Sequence, residues 1–121
     1  MGEILAVGLG GMLGSILRYL IGLIRVGKMN FPIKTFVINV VGAFVIGMVA
    51  AYSLKHSSLD PKIVLFLKVG ICGGFTTFSS YALETTDLIK SGHMTLGLLY
   101  VIVSIILGVF AVMAGEWMIN H

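Results

Sequence analysis

Nine consecutive residues, Gly73-Gly74-Phe75-Thr76-Thr77-Phe78-Ser79-Ser80-Tyr81, carry the densest run of usable polar groups in this 121-residue chain. Adjacent glycines weaken a helix, and Thr and Ser offer the backbone local partners in place of the helical ladder. The run lies inside a long apolar stretch, so it predicts a helix broken mid-membrane. Unwound backbone at that depth persists only where it is buried in protein or lines a cavity. Such a break exposes carbonyls to cations and helix N-termini to anions. Phe78 and Tyr81, three residues apart, share a face of the helix that follows. An aromatic ring has a positive edge. Ring edges, hydroxyls such as that of Ser80, and amide N–H groups can together hold a small anion without a buried cation trapping it. A harmless kink with stacked core aromatics is the competing reading.

Other polar groups sit at similar depth. Asn39 lies inside the second apolar segment with Thr35 one turn earlier, and Tyr100 and Ser104 repeat that spacing in the fourth. An Asn amide there either joins helices or offers N–H donors to an anion. Arg18 is costly in lipid, about 2.5–3.5 kcal/mol at a helix centre. It either snorkels to the interface or places a fixed positive charge at a vestibule that gathers anions. Glu84, one turn beyond Tyr81, is expected near a pore mouth or paired with a basic residue.

The elements that must position these groups follow from composition. Hydrophobic residues make up 58% and charged residues 11% of the chain, against roughly a quarter charged in a soluble domain. A chain this short cannot bury so much apolar surface by itself, so its solvent is lipid. Four segments reach the roughly 20 residues that cross a bilayer, at about 4–24, 31–54, 63–89 and 94–118. The expected fold is a single all-α transmembrane domain over 1–121, with the third helix broken. The first segment begins Met1-Gly2-Glu3 without a basic region and is expected to be retained. Lys55, Lys62 and Lys68 fall on one side; Arg25, Lys28, Lys34 and Lys90 fall on the other. That balance is a weak bias under the positive-inside rule and permits insertion in both orientations. Rows of small residues, with Gly10, Gly14 and Gly22 in the first helix, Gly42, Ala43 and Gly47 in the second, and Gly97, Gly108, Ala111 and Gly115 in the fourth, read as packing seams. Four helices make a thin bundle, so the seams also point to oligomers.

Several classes drop out. Basic residues at helix ends and loops suit phospholipid headgroups better than nucleic acid. The run Gly8-Leu9-Gly10-Gly11-Met12-Leu13-Gly14 has Leu where the dinucleotide fingerprint needs Gly, and no Gly-Lys-Ser/Thr ending. No nucleophile–base pair or metal-ligand cluster suggests an enzyme. The lone Cys72 cannot form an intrachain disulfide.

At these residues the chain resembles the small fluoride channels of the Fluc/CrcB family. The match includes Gly10-Gly11 with Gly14 and Arg18-Tyr19, Asn39-Val40-Val41-Gly42-Ala43-Phe44, and above all Gly73-Gly74-Phe75-Thr76-Thr77-Phe78-Ser79-Ser80-Tyr81. The resemblance implies an antiparallel, dual-topology dimer in the cell membrane, by expectation a bacterial inner membrane, with two fluoride pathways. It implies a central sodium ion held by the Gly73 and Thr76 carbonyls. It places Phe78 and Tyr81 as pore aromatics, Asn39 as the pore asparagine and Tyr100 with Ser104 as a polar track; Thr35 and Glu84 are further carry-overs. The family usually has Phe where this chain has Tyr81, whose hydroxyl could donate to fluoride, find another partner, or obstruct the path. Diverged copies in some bacteria form heterodimers, so homodimer and heterodimer both stay open. A rival is a small multidrug-type cation transporter, which needs an acid deep in helix one; here the only acid there is Glu3, at the membrane edge. The other rival, a non-conducting structural subunit of a membrane complex, explains the glycine seams but not the broken helix.

Overall fold

A computed structural model describes residues Met1–His121, and every regular element in it is helical. The elements are α1 (Gly2–Gly22), α2 (Ile33–Lys55), α3 (Pro61–Leu65), a π-helical stretch (Phe66–Cys72), α4 (Gly73–Phe75), α5 (Phe78–Lys90) and α6 (Met94–Asn120). The run from Pro61 to Lys90 forms one membrane crossing, so the chain crosses four times and the third span is broken, as the sequence leads one to expect.

Local chemistry sets the helix ends. Helix α1 stops at Gly22, two residues before the apolar stretch ends, and closes with tight three-residue bonds from Leu23 and Ile24. The Lys34 ammonium donates to the carbonyls of Gly22 (2.8 Å) and Ile24 (3.1 Å), where a helix C-terminus favours positive charge. Pro32 stands at the N-cap of α2 and keeps Phe31 outside the helix. Asp60 caps α3 by accepting the Lys62 N–H, with Pro61 in the first turn. This cap starts the third span earlier than hydropathy suggests. Gly92, at φ +88°, turns the chain from α5 into α6, a conformation that needs no side chain.

Packing follows small residues, since lipid offers apolar faces no reason to hide. Helix α1 lies against the π stretch and α4, and α2 lies against α6. A methyl group added at Gly10 would run into the Phe66 carbonyl and sit 2.8 Å from Gly70 Cα; at Gly14 it would strike the Ile71 carbonyl. Gly74 meets Gly11 in the same way. Gly47 abuts the Val112 carbonyl and Gly115 the Phe44 carbonyl. Two members of the expected seams differ: Gly22 and Gly108 face nothing within 4 Å in the chain. Large apolar side chains cover the outside of all four spans, as a lipid solvent requires.

Candidate functional site

The break consists of two extended residues, Thr76 (φ −79°, ψ 156°) and Thr77 (φ −147°, ψ 116°). Thr77 is the N-cap of α5, its hydroxyl accepting the Ser80 N–H at 3.2 Å. The Thr76 hydroxyl instead turns back to the Cys72 carbonyl at 2.9 Å. Asn39 of α2 completes the break from outside: its Oδ1 accepts the Thr77 N–H at 2.8 Å and its Nδ2 donates to the Thr77 carbonyl at 3.2 Å. One amide side chain thus substitutes for the ladder partners that an extended residue loses. Joining helices is therefore one role of Asn39.

These diversions leave two carbonyls without their helical partners. In a continuous helix the Thr77 N–H would bond the Gly73 carbonyl and the Ser80 N–H the Thr76 carbonyl. Both N–H groups are committed elsewhere, to Asn39 Oδ1 and Thr77 Oγ1. The neighbouring Gly74 carbonyl accepts from Arg18 Nε at 3.3 Å. Arg18 therefore bonds the break from α1, a role neither sequence reading of that residue contains.

Beside the break lies a cavity of about 370 Å³. Asn39, Gly73, Thr76, Thr77, Phe78, Tyr81 and Ser104 supply its chemistry, and no charged residue lines it. The Phe78 and Tyr81 rings meet edge-on, with centroids 5.9 Å apart. They differ in setting: Phe78 is 79% exposed, whereas Tyr81 is half-buried and also meets the Tyr100 ring edge-on. The Tyr81 hydroxyl donates to the Val101 carbonyl at 2.9 Å, so of the three fates open to it, it finds another partner. Ser104 Oγ is buried and has no partner in the chain.

A second cavity, about 360 Å³, has the opposite character. Arg18, Lys34 and Glu84 line it together with Thr35, Ser80 and Tyr19, and Thr77 faces both cavities. The Glu84 carboxylate accepts from Thr35 Oγ1 (2.9 Å) and from the Tyr100 hydroxyl (3.1 Å), one on each oxygen. No Lys or Arg lies within ion-pair distance of it. The expectation of a basic partner for Glu84 is thus replaced by two hydroxyls. Tyr100 is fully buried, with the Phe31 ring packed edge-on against it.

The expected pore residues therefore divide. Asn39, Phe78, Tyr81 and Ser104 share the neutral cavity with Gly73 and Thr76. Thr35 and Ser80 line the charged one with Arg18 and Glu84, and Tyr100 reaches that group through Glu84. The roles of Lys34, of Thr77 as a cap and of Phe31 emerge only in the folded chain. Only Thr77 carried a signal: a Thr just before an amphipathic stretch is an N-cap pattern.

Fold and site together define a multi-pass protein of the cell membrane, with a polar site built inside the bilayer around a broken helix. Residues 5–116 match the family model described as CrcB-like protein, Camphor Resistance (CrcB), and the chain belongs to that family. Curated relatives agree along nearly the whole length. The fluoride-specific ion channel FluC of Azobacteroides pseudotrichonymphae is 42% identical over 115 residues, covering 93% of this chain and 92% of the relative. That of Nitrobacter winogradskyi is 47% identical, covering 93% and 90%. That of Rhizobium meliloti is 41% identical, covering 95% and 94%.

Proposed function

We infer that this chain is a subunit of a fluoride-specific ion channel and carries fluoride passively across the membrane. The observation that carries the reading is the cavity at the break, lined by uncharged donors and ring edges and adjoining a charged vestibule at Thr77. Fluoride is small and strongly hydrated, so a pore has to replace much of its water. Conduction also requires that no site hold the ion too firmly. An amide, a hydroxyl and aromatic edges each contribute modestly, whereas a buried Lys or Arg in the cavity would act as a trap. The names of the relatives, each a fluoride-specific channel, support the choice of ion. The driving force is the membrane potential, about 2.3 kcal/mol per charge per 100 mV.

Two further parts of the reading concern assembly. The subunit acts as an antiparallel dimer, either with a second copy or with a diverged partner. Balanced Lys and Arg on the two sides and a Phe78 ring that projects from its own chain support this. A sodium ion fits the Gly73 and Thr76 carbonyls, which are hard oxygen donors released from the helix ladder. When bound it would supply a fixed positive charge at the break.

The test is efflux from liposomes holding only this purified chain, with chloride as the control ion. Fast, fluoride-selective efflux is expected. A well-folded protein that passes neither ion would sink the self-sufficient channel and leave a subunit that conducts only beside a diverged partner.

A further inference from the structure

Ser104 carries a buried hydroxyl with no hydrogen-bond partner in the chain. Ser15, Ser53 and Ser91 each donate to the carbonyl three residues back, those of Met12, Ala50 and Leu88, at 3.1, 2.9 and 3.1 Å. Thr76, Thr85 and Thr86 use the carbonyl four residues back, at 2.8–3.0 Å. Such back-bonding is the ordinary resting state of a hydroxyl on a helix. Ser104 has none, although its oxygen is buried.

The carbonyl three residues before Ser104 belongs to Val101, and it is already engaged. A carbonyl oxygen has two lone pairs. Helix geometry directs one to the N–H four residues on, that of Ile105. The other receives the Tyr81 hydroxyl at 2.9 Å. Tyr81 and Ser104 line the same cavity, so a bond made on its wall takes the acceptor three residues back that the back-bonded serines of this chain use.

We propose that Tyr81 is a positioning residue: by occupying the Val101 carbonyl, its hydroxyl keeps the Ser104 hydroxyl free to donate to an anion in the cavity. The inference rests on the reading of that cavity as a fluoride pathway. The phenol donates to a backbone carbonyl and leaves ion contact to its ring edge and to Ser104. A phenylalanine at this position keeps the ring but releases the carbonyl. Ser104 then turns back onto Val101, and an anion has to break that bond to recruit it.

The test crosses Tyr81→Phe with Ser104→Ala in fluoride efflux from liposomes, with a structure of the Tyr81→Phe protein alongside. In the Tyr81 background Ser104→Ala is expected to slow efflux about tenfold, the scale of one hydrogen bond to a charged group. In the Tyr81→Phe background the same change is expected to cost less than about threefold, because coupled residues do not add. Equal losses in both backgrounds overturn the proposal. In the structure, Ser104 Oγ within bonding distance of the Val101 carbonyl supports it, and a Ser104 still unpartnered overturns it. If the wild-type chain alone passes no fluoride, the self-sufficient channel falls, and the donor role of Ser104 is tested by the same cross in the channel formed with the diverged partner. The Tyr81–Val101 lock is then judged by the structure alone.

Discussion

From Pro61 to Phe75 the third span is held mainly by shape, and from Thr77 to Lys90 by hydrogen bonds. The first half presses Gly70, Ile71 and Gly74 against Gly10, Gly11 and Gly14, backbone on backbone, and widens into a π turn where α1 comes closest. The second half starts on a Thr77 cap, is clamped by Asn39, and carries Glu84 between two hydroxyls. A shape-held half tolerates no added atoms, whereas a bond-held half tolerates changes of size better than the loss of a partner. Ion chemistry therefore belongs to the second half and to the break, where donors can be exchanged without forcing helices apart.

The comparison can be broken most sharply at Gly14. Gly14→Leu drives a side chain into the Ile71 carbonyl, at about 3 kcal/mol or more for overpacking of this kind. The expected result is loss of monodisperse protein in mild detergent. Gly8→Ala, whose added methyl meets nothing within 4 Å, should leave the elution profile unchanged. In the second half, Asn39→Ala leaves the Thr77 N–H without its acceptor, which costs about 1–3 kcal/mol for a buried group. Thermal unfolding in detergent should start earlier, with the protein still monodisperse. Thr77→Val removes the cap of α5 for about 1 kcal/mol. It should speed hydrogen exchange at the Ser80 amide, and Thr77→Ser should restore protection. Smallest is Lys34→Met, which frees the end of α1 at about 0.3–1 kcal/mol. Its effect on stability should be confined to faster exchange around Leu23 and Ile24.

Much of this design is legible in the residues themselves. Hydropathy marks the four crossings, and Gly73-Gly74 followed by two threonines marks the break, because local backbone preference decides both. The π stretch leaves no such trace: it forms where two glycine rows from different helices meet, a contact that no single segment encodes. Partners of single side chains were equally hidden. Glu84 makes no ion pair and instead bonds two hydroxyls, from α2 and α6, and Arg18 reaches a carbonyl 56 residues away. Periodicity shows which face a residue occupies and not what it meets there. The split of the polar residues between a neutral and a charged cavity is likewise a product of helix crossing, since Thr35 and Asn39 lie one turn apart and open on different spaces.

The carboxylate of Glu84 also imposes an order on synthesis. Its α2 partner, Thr35, leaves the ribosome before it, but Tyr100 follows 16 residues later on α6. The Val101 carbonyl that receives Tyr81 arrives with Tyr100. A nascent chain halted before residue 100 would hold an acid in the bilayer with a single donor, a costly exposure in lipid. Insertion of the last helix thus completes the polar wiring of the third.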